Sequence, residues 1–356
     1  MRRRAFIRTV SHTAAAVGVV PTISMAGPSR AFAGWTWVHG GREREPAEWR
    51  ERFARLRESG ITGVLVSGGD TAMLADAAHA SGLAFHRWLW ILNRNGDAWA
   101  QEHHPEWFTM SRNGDSTLKK PPYVGYYKWV CPTRPPVRAY LQDLVGRVAE
   151  HPGVDGVHLD YIRFCDVILP IGLWEKYDLV QDRELPEFDF CYCDVCRATF
   201  QEQSGIDPVT LDDAPAHRAW REFRWNTLTE CVSGLADAVH ARGKTVTAAV
   251  FPTPSIARRL VRQAWERWPL DAFFPMQYHS FYEEPVSWIA GATREGVGAL
   301  PSGTPLHSGL YLPSLTPDEL GVAAQLGRDA GAAGVACFEM EGLTDAHLAR
   351  LAEVIG

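Results

Sequence analysis

The stretch Val154-Asp155-Gly156-Val157-His158-Leu159-Asp160-Tyr161-Ile162-Arg163-Phe164 sets the reading of the whole chain. Its apolar residues alternate. Val157 and Leu159 fall on one face, and Gly156, His158 and Asp160 on the other, as in a strand with a two-residue repeat. A segment of helical spacing, Pro136–Glu150, precedes it. Working outward, the same pairing of a β-rich run with a helical segment recurs along the chain. The other runs are Trp35–His39, Ile61–Ser67, Leu83–Leu92, Thr245–Phe251, Ala272–His279, Leu306–Leu312 and Gly334–Glu339. Helical periodicity follows at Glu48–Ser59, Thr71–Ala80, Arg218–Arg242, Ser255–Trp268, Val286–Glu295, Pro317–Ala330 and Asp345–Ile355. Thr316-Pro317 and Thr344-Asp345 supply helix starts, and Gly60, Gly82, Gly243 and Gly331 supply helix ends.

Eight such units in succession predict an α/β chain closed into a (β/α)8 TIM barrel. A doubly wound open sheet is the competing arrangement. It would carry a glycine-rich phosphate turn after its first strand, and none is present. No linker or low-complexity stretch marks a second domain, so residues 34–356 read as one barrel.

Residues 1–33 read as an address. Arg2-Arg3-Arg4 opens the chain, an apolar stretch runs from Ala14 to Ala26, and Ala31-Phe32-Ala33 ends it. A basic start, an apolar middle and a small-x-small end describe an export signal. Arg3-Arg4 with Phe6 resembles the twin-arginine pattern, which implies a secreted or periplasmic protein exported already folded. The apolar run carries Gly18 and Pro21 and is shorter than the roughly 20 residues of a membrane span. No membrane partner is expected after signal removal.

Composition narrows the partners. The 356 residues are 46% apolar and 22% charged, with a formal net charge of −6. That excludes a disordered or collagen-like chain, and it offers no basic stripe for nucleic acid. Oligomeric state is left open. The 14 tryptophans are an excess that calls for a use.

Two connections, Asn93–Pro135 and Cys165–Ala216, are far longer than an ordinary βα loop. Both leave the C-terminal ends of strands, where barrel enzymes build their sites. Asp160 reaches that rim, with Arg163 near enough to orient it. By the same alternation, strand eight points Val335, Cys337 and Glu339 inward and Ala336, Phe338 and Met340 outward. Strand seven points His307 and Tyr311 inward, and strand six supplies Tyr278 or His279. Two carboxylates across a barrel mouth suit glycoside cleavage, one protonating the leaving oxygen and the other attacking or activating water. Asp160 is expected as nucleophile or base and Glu339 as acid. His158, Arg163, Tyr278, His279 and His307 are expected to hold substrate. Flat indoles stack on the C–H face of a sugar. The candidates are Trp37, Trp90 and Trp129, with Trp35, Trp88, Trp99, Trp107 and Trp174 in the same regions.

Cys191-Tyr192-Cys193-Asp194-Val195-Cys196 places three thiols in six residues. This suits thiolate ligation of structural zinc, with Cys131 of the other long loop as the fourth ligand. Disulfides are the alternative in an oxidising compartment. Export in the folded state favours zinc loaded beforehand. No organic cofactor is indicated.

Cys131-Pro-Thr-Arg-Pro-Pro-Val-Arg138 with Cys191-x-Cys193-x-x-Cys196 resembles the zinc-binding pattern of family 42 β-galactosidases. Where those enzymes carry Asn-Glu at the end of strand four, this chain has Asp160-Tyr161. A broader likeness, over about Trp35 to Phe164, is to the family-10-like glycosidases. It is carried by His104-Pro-Glu-Trp107-Phe, Arg138-x-Tyr140-Leu and Asp155-Gly-Val-His-Leu-Asp160-Tyr-Ile-Arg163-Phe. Met276-Gln-Tyr278 is similar to the Met-x-Tyr of chitinase-like family 18 barrels, and Ile162 stands where their acid Glu would be. These resemblances imply a glycosidase-type barrel with Asp160 in its site and an oligo- or polysaccharide substrate. A catalytically inactive carbohydrate-binding barrel is the alternative. Metal-dependent hydrolysis lacks a ligand pattern such as HExxH.

Overall fold

Each β-rich run forms a parallel strand, because its alternation offers one face to the helices and one to a central lumen. The computed structural model describes residues 31–356. The strands are β1 (Ala33–His39), β2 (Ile61–Ser67), β3 (Ala84–Trp90), β4 (Gly156–Asp160), β5 (Thr245–Val250), β6 (Ala272–Pro275), β7 (His307–Tyr311) and β8 (Gly334–Phe338). They are hydrogen-bonded in the order β6-β5-β4-β3-β2-β1-β8-β7. Parallel bridges Phe273–Leu306 and Met276–Gly309 join β6 to β7, and Gln277 N–H donates to the Gly309 carbonyl at 2.9 Å. The sheet thus closes into the expected (β/α)8 TIM barrel.

The surrounding helices are α1 (Pro46–Glu58), α2 (Thr71–Ala80), α3 (Ala98–His103), α4 (Pro135–Ala149), α5 (Asp194–Ser204), α6 (Arg218–His240), α7 (Pro254–Val261), α8 (Trp288–Ala299), α9 (Pro317–Asp329) and α10 (Asp345–Ile355). Thr316 and Thr344 form reciprocal capping boxes with Glu319 and His347. Gly60, Gly82, Gly243 and Gly331 all take positive φ at helix ends. The expected long helix Ser255–Trp268 stops early, at Val261. Arg262 turns left-handed (φ 58°) and inward, where its buried guanidinium meets Glu184 and lies 3.6 Å from Asp189. The export segment read in residues 1–33 lies outside the described residues as far as residue 30. Ala33 opens β1, and Phe32 is buried under the Arg328 guanidinium.

Rings fill the lumen. Trp37, Leu65, Trp88, Phe274 and Ala336 form a cluster of their own, separate from the larger core between strands and helices, with Trp35 and Phe338 packed on it. Large rings fit because their neighbours are small. A Cβ on Gly63 would stand 2.3 Å from the Trp35 ring, and one on Gly156 would stand 2.7 Å from His86. Polar atoms inside are paired. The Trp37 indole N–H donates to His158 Nε2 at 3.2 Å, so the His158 proton sits on Nδ1, 2.9 Å from Thr247 Oγ1.

Strand eight runs opposite to the sequence expectation. Ala336 and Phe338 face the lumen, while Val335 and Cys337 pack against the helices. The strand begins at Gly334, which lies against His307, and register with β1 and β7 fixes every later residue's side.

The lumen histidines make stability depend on pH. Burial pushes His86 down to about 4 and His158 well below its usual value. As pH falls below the ordinary histidine value of 6.5, the unfolded chain takes up protons that the folded barrel refuses. Urea unfolding is therefore expected to show stability falling as pH drops from 6.5 towards 4. A flat profile there would contradict burial of neutral imidazoles.

Candidate active site

At the C-terminal ends of the strands a cavity of about 430 Å³ opens, large enough for a short stretch of sugar. The strand ends give its floor and the two long loops its walls. Loop Asn93–Pro135 contributes Tyr123, Tyr126 and Tyr127, and loop Cys165–Ala216 contributes Asp166, Leu169, Lys176 and Tyr177. A bridge between Ser111 and Phe190 stitches the loops together.

Asp160 ends β4 in the floor of this cavity and is 9% exposed. Its Oδ2 accepts the Trp88 indole N–H at 2.9 Å, and its Oδ1 accepts the Tyr161 N–H at 2.6 Å. Burial pushes the carboxyl above its usual range, against the pull of those donors and of Arg163. Asp160 therefore holds a proton more readily than an exposed aspartate does. Tyr161 takes φ 48°, a conformation a bulky residue seldom adopts, and its ring packs 4.4 Å from that of Trp90.

Arg163 lines the cavity but is already engaged. Its guanidinium donates to Asp166 at 2.6 Å and lies over Trp129 at 4.8 Å. Burial works against the charge, but Asp166 together with the neighbouring Tyr127 and Tyr161 holds Arg163 above its usual range. Of the two carboxyls in the lining, then, Asp166 is committed to a salt bridge and Asp160 faces the cavity.

Glu339 follows β8 at the rim and does not line the cavity. Its Oε2 lies 3.0 Å from His39 Nε2 and its Oε1 lies 3.5 Å from Arg42. His39 does line the cavity, with its ring 5.1 Å from that of Trp88. Glu339 therefore reaches the cavity only past His39.

The other expected sugar contacts divide by burial. Trp90, 36% exposed, and Tyr278 line the cavity. Trp37 and His158 lie buried in the lumen beneath it, and His307 packs lower still, against Phe274 and Trp35. Trp129 is buried behind Arg163. His279 is buried off the cavity, towards Glu319 at the start of α9. None of these five lines the cavity, where the sequence placed them as sugar contacts.

Tyrosine carries the surface that tryptophan was expected to carry. Tyr123, Tyr126, Tyr127, Tyr161, Tyr177, Tyr278, Tyr282 and Tyr311 line the cavity, eight of the chain's 10 tyrosines, against two tryptophans, Trp88 and Trp90. The Tyr126-Tyr127 pair in a long loop was the available signal.

Sγ atoms of Cys131, Cys191, Cys193 and Cys196 all lie within 4.8 Å of one another and are buried. The gaps of 3.4 Å (Cys131–Cys196) and 3.7 Å (Cys193–Cys131) exceed a disulfide bond and suit four thiolates around one ion. Thiols donating to Cys193 hold it far below the usual thiol range. This cluster could bind a metal. Cys165, Cys231 and Cys337 are buried elsewhere.

No protein-family model and no curated protein matches the sequence. Solved structures do resemble the fold. The PgaB (BpsB) glycoside hydrolase domain from Bordetella bronchiseptica superposes with a TM-score of 0.66 at 12% identity, over 91% of this chain and 99% of that one. The catalytic domain of beta-amylase from Paenibacillus polymyxa gives 0.62 at 10% identity, over 90% and 95%. The beta-galactosidase from Rahnella sp. R3 gives 0.60 at 13% identity, over 92% of this chain and 55% of that one. At such identities the likeness establishes a shared barrel.

Asp166→Asn is expected to lower the unfolding free energy by about 3–5 kcal/mol in urea titration, because it leaves a buried guanidinium uncompensated. A loss below about 1 kcal/mol, the worth of an exposed pair, would show Arg163 to be solvated.

Proposed function

We propose that this chain is an exported glycoside hydrolase acting on an oligo- or polysaccharide. One observation carries the reading: a buried carboxyl, Asp160, which burial pushes above the usual carboxylate range, faces a cavity walled by tyrosine at the C-terminal end of the barrel strands. The neighbours whose names include glycoside hydrolase, amylase and galactosidase agree with it. Export rests on the leader read in residues 1–33. Among the described residues no helix is long and apolar enough to cross a membrane.

In this reading a sugar stacks against Trp90 and Tyr161, and its hydroxyls meet the phenolic wall. Asp160 gives its proton to the leaving glycosidic oxygen, the role its burial favours. Glu339, the second carboxylate, stands behind His39 and cannot touch the anomeric carbon. It therefore assists an attacking water, and the anomeric configuration inverts. A barrel that binds sugar without cleaving it is the second reading, favoured by the position of Glu339 outside the lining.

Asp160→Asn is expected to cut glycoside turnover by a factor on the order of 10²–10⁴, the usual worth of a general acid. Sugar binding should persist by calorimetry. Turnover equal to the parent's would remove Asp160 from the mechanism, and a parent without turnover on any glycan would leave the binding reading. Proton NMR of the first-formed product tests inversion, and retained configuration would require a nucleophile within the cavity.

We further infer that the four-cysteine cluster holds zinc as a structural ion. Cys131 comes from one long loop and the other three from the second, so the ion would pin the cavity walls together. Metal analysis of the purified chain should find about one zinc per molecule, as a closed Cys₄ site requires. Chelation should lower the melting temperature. Metal-free protein with oxidised thiols would instead support disulfides.

A further inference from the structure

Beside the cavity, Glu339 also meets an imidazole, and through it a hydroxyl, that glycoside cleavage does not use. Ser67 ends β2 next to His39 at the end of β1, and its hydroxyl lies 3.2 Å from His39 Nδ1. The opposite ring nitrogen, Nε2, lies 3.0 Å from Glu339 Oε2. That oxygen has no well-aligned hydrogen-bond donor among the described residues, so a small turn of the imidazole would complete its bonding. In a neutral imidazole carrying its proton on Nε2, that turn would bring the proton onto Glu339, and Nδ1 lies within hydrogen-bond distance of the Ser67 O–H. Hydroxyl, base and orienting carboxylate therefore stand in one line of hydrogen-bonding atoms, contributed by three different strand ends.

The chain beyond Ser67 adds what such a line needs. It runs through Gly68, Gly69 and Asp70 straight into α2, a strand–serine–turn–helix order in which the amides after the serine can serve an oxyanion. Gly68 and Gly69 are exposed, with φ of 66° and 70°. Among the described residues no acceptor engages either N–H. His39 is in the cavity lining with its side chain 41% exposed, and Ser67 stands half-buried beside it, just outside the lining.

We propose that Ser67, His39 and Glu339 form a second, ester-cleaving site that removes O-acyl groups from the carbohydrate bound at the cavity. The carbohydrate carrier rests on the glycosidase reading; the ester chemistry does not. Ser67 Oγ bonds to the acyl carbon as its proton passes to His39 Nδ1, with the carbonyl oxygen facing the Gly68 and Gly69 amides. The tetrahedral adduct collapses, the C–O bond to the sugar breaks, and the departing sugar oxygen takes the proton back from His39. Water then attacks the acyl-serine by the same proton path and releases the carboxylic acid. Glu339 keeps the imidazole oriented and balances its charge when protonated.

The test uses the full chain with a fluorophosphonate probe, p-nitrophenyl acetate and an O-acetylated oligosaccharide. Labelling at Ser67 by mass spectrometry and acetate release from both esters are expected. Ser67→Ala should lower p-nitrophenyl acetate turnover by at least about a hundredfold with glycoside turnover and melting temperature unchanged. His39→Asn should abolish the labelling as well. No label on Ser67, or ester turnover equal in the parent and Ser67→Ala, overturns the proposal. Cleavage of the aryl ester without acetate release from the oligosaccharide overturns the carbohydrate carrier alone. Loss of glycoside turnover in Asp160→Asn is read separately, so either activity can fail without the other.

Discussion

A closed parallel barrel leaves a lumen that water does not fill and that only its own side chains can occupy. Here the occupants are rings, and the rest of the structure follows from packing them. Trp35, Trp37, Trp88, Phe274 and the lumen histidines sit against glycine and alanine on neighbouring strands. Their few polar atoms must pair with one another. Trp37 satisfies His158, and one layer higher Trp88 satisfies Asp160. The same packing that completes the barrel therefore sets the position, the burial and the proton affinity of the carboxyl in the cavity floor.

Above that floor the chain departs from the economy of short connections. The two long loops meet at the Ser111–Phe190 bridge and at four convergent cysteines, and charge is buried beneath them. Asp189 accepts from Arg224 and from the Tyr192 hydroxyl, and Arg262 leaves its helix to join them. A buried ion group of this kind adds little net stability, but removing any partner leaves a stranded charge. It fixes where the loops can lie. The cavity walls are thereby as defined as the strands, and Tyr123 and Tyr161 are held in left-handed conformations that a free loop would relax.

Much of the fold was legible because alternation and helical spacing are local signals. The βα units were readable strand by strand, with α2 and α10 matching to the residue. Asp160 was legible for the same reason, being two residues on from His158 along β4. Strand eight was not, because a short apolar run reads equally well in either register, and its side is decided by β1 and β7. The tryptophans misled in a related way. An indole on a strand can face a sugar or fill a lumen, and the lumen's volume decided for Trp35 and Trp37. The tyrosines gave no periodic pattern, since they gather from both loops and from several strand ends.

The sequence by itself determined the repeating βα units, the rim position of Asp160 and the close-set Cys191, Cys193 and Cys196, because each depends on near neighbours in the chain. Only the tertiary structure decided which carboxyl meets the cavity, which rings line it and what stands beside His39. Those outcomes depend on barrel closure. Closure brings β8 beside β1, and so sets Glu339 against His39, which β2 already pairs with Ser67, where no local pattern in the chain records their meeting.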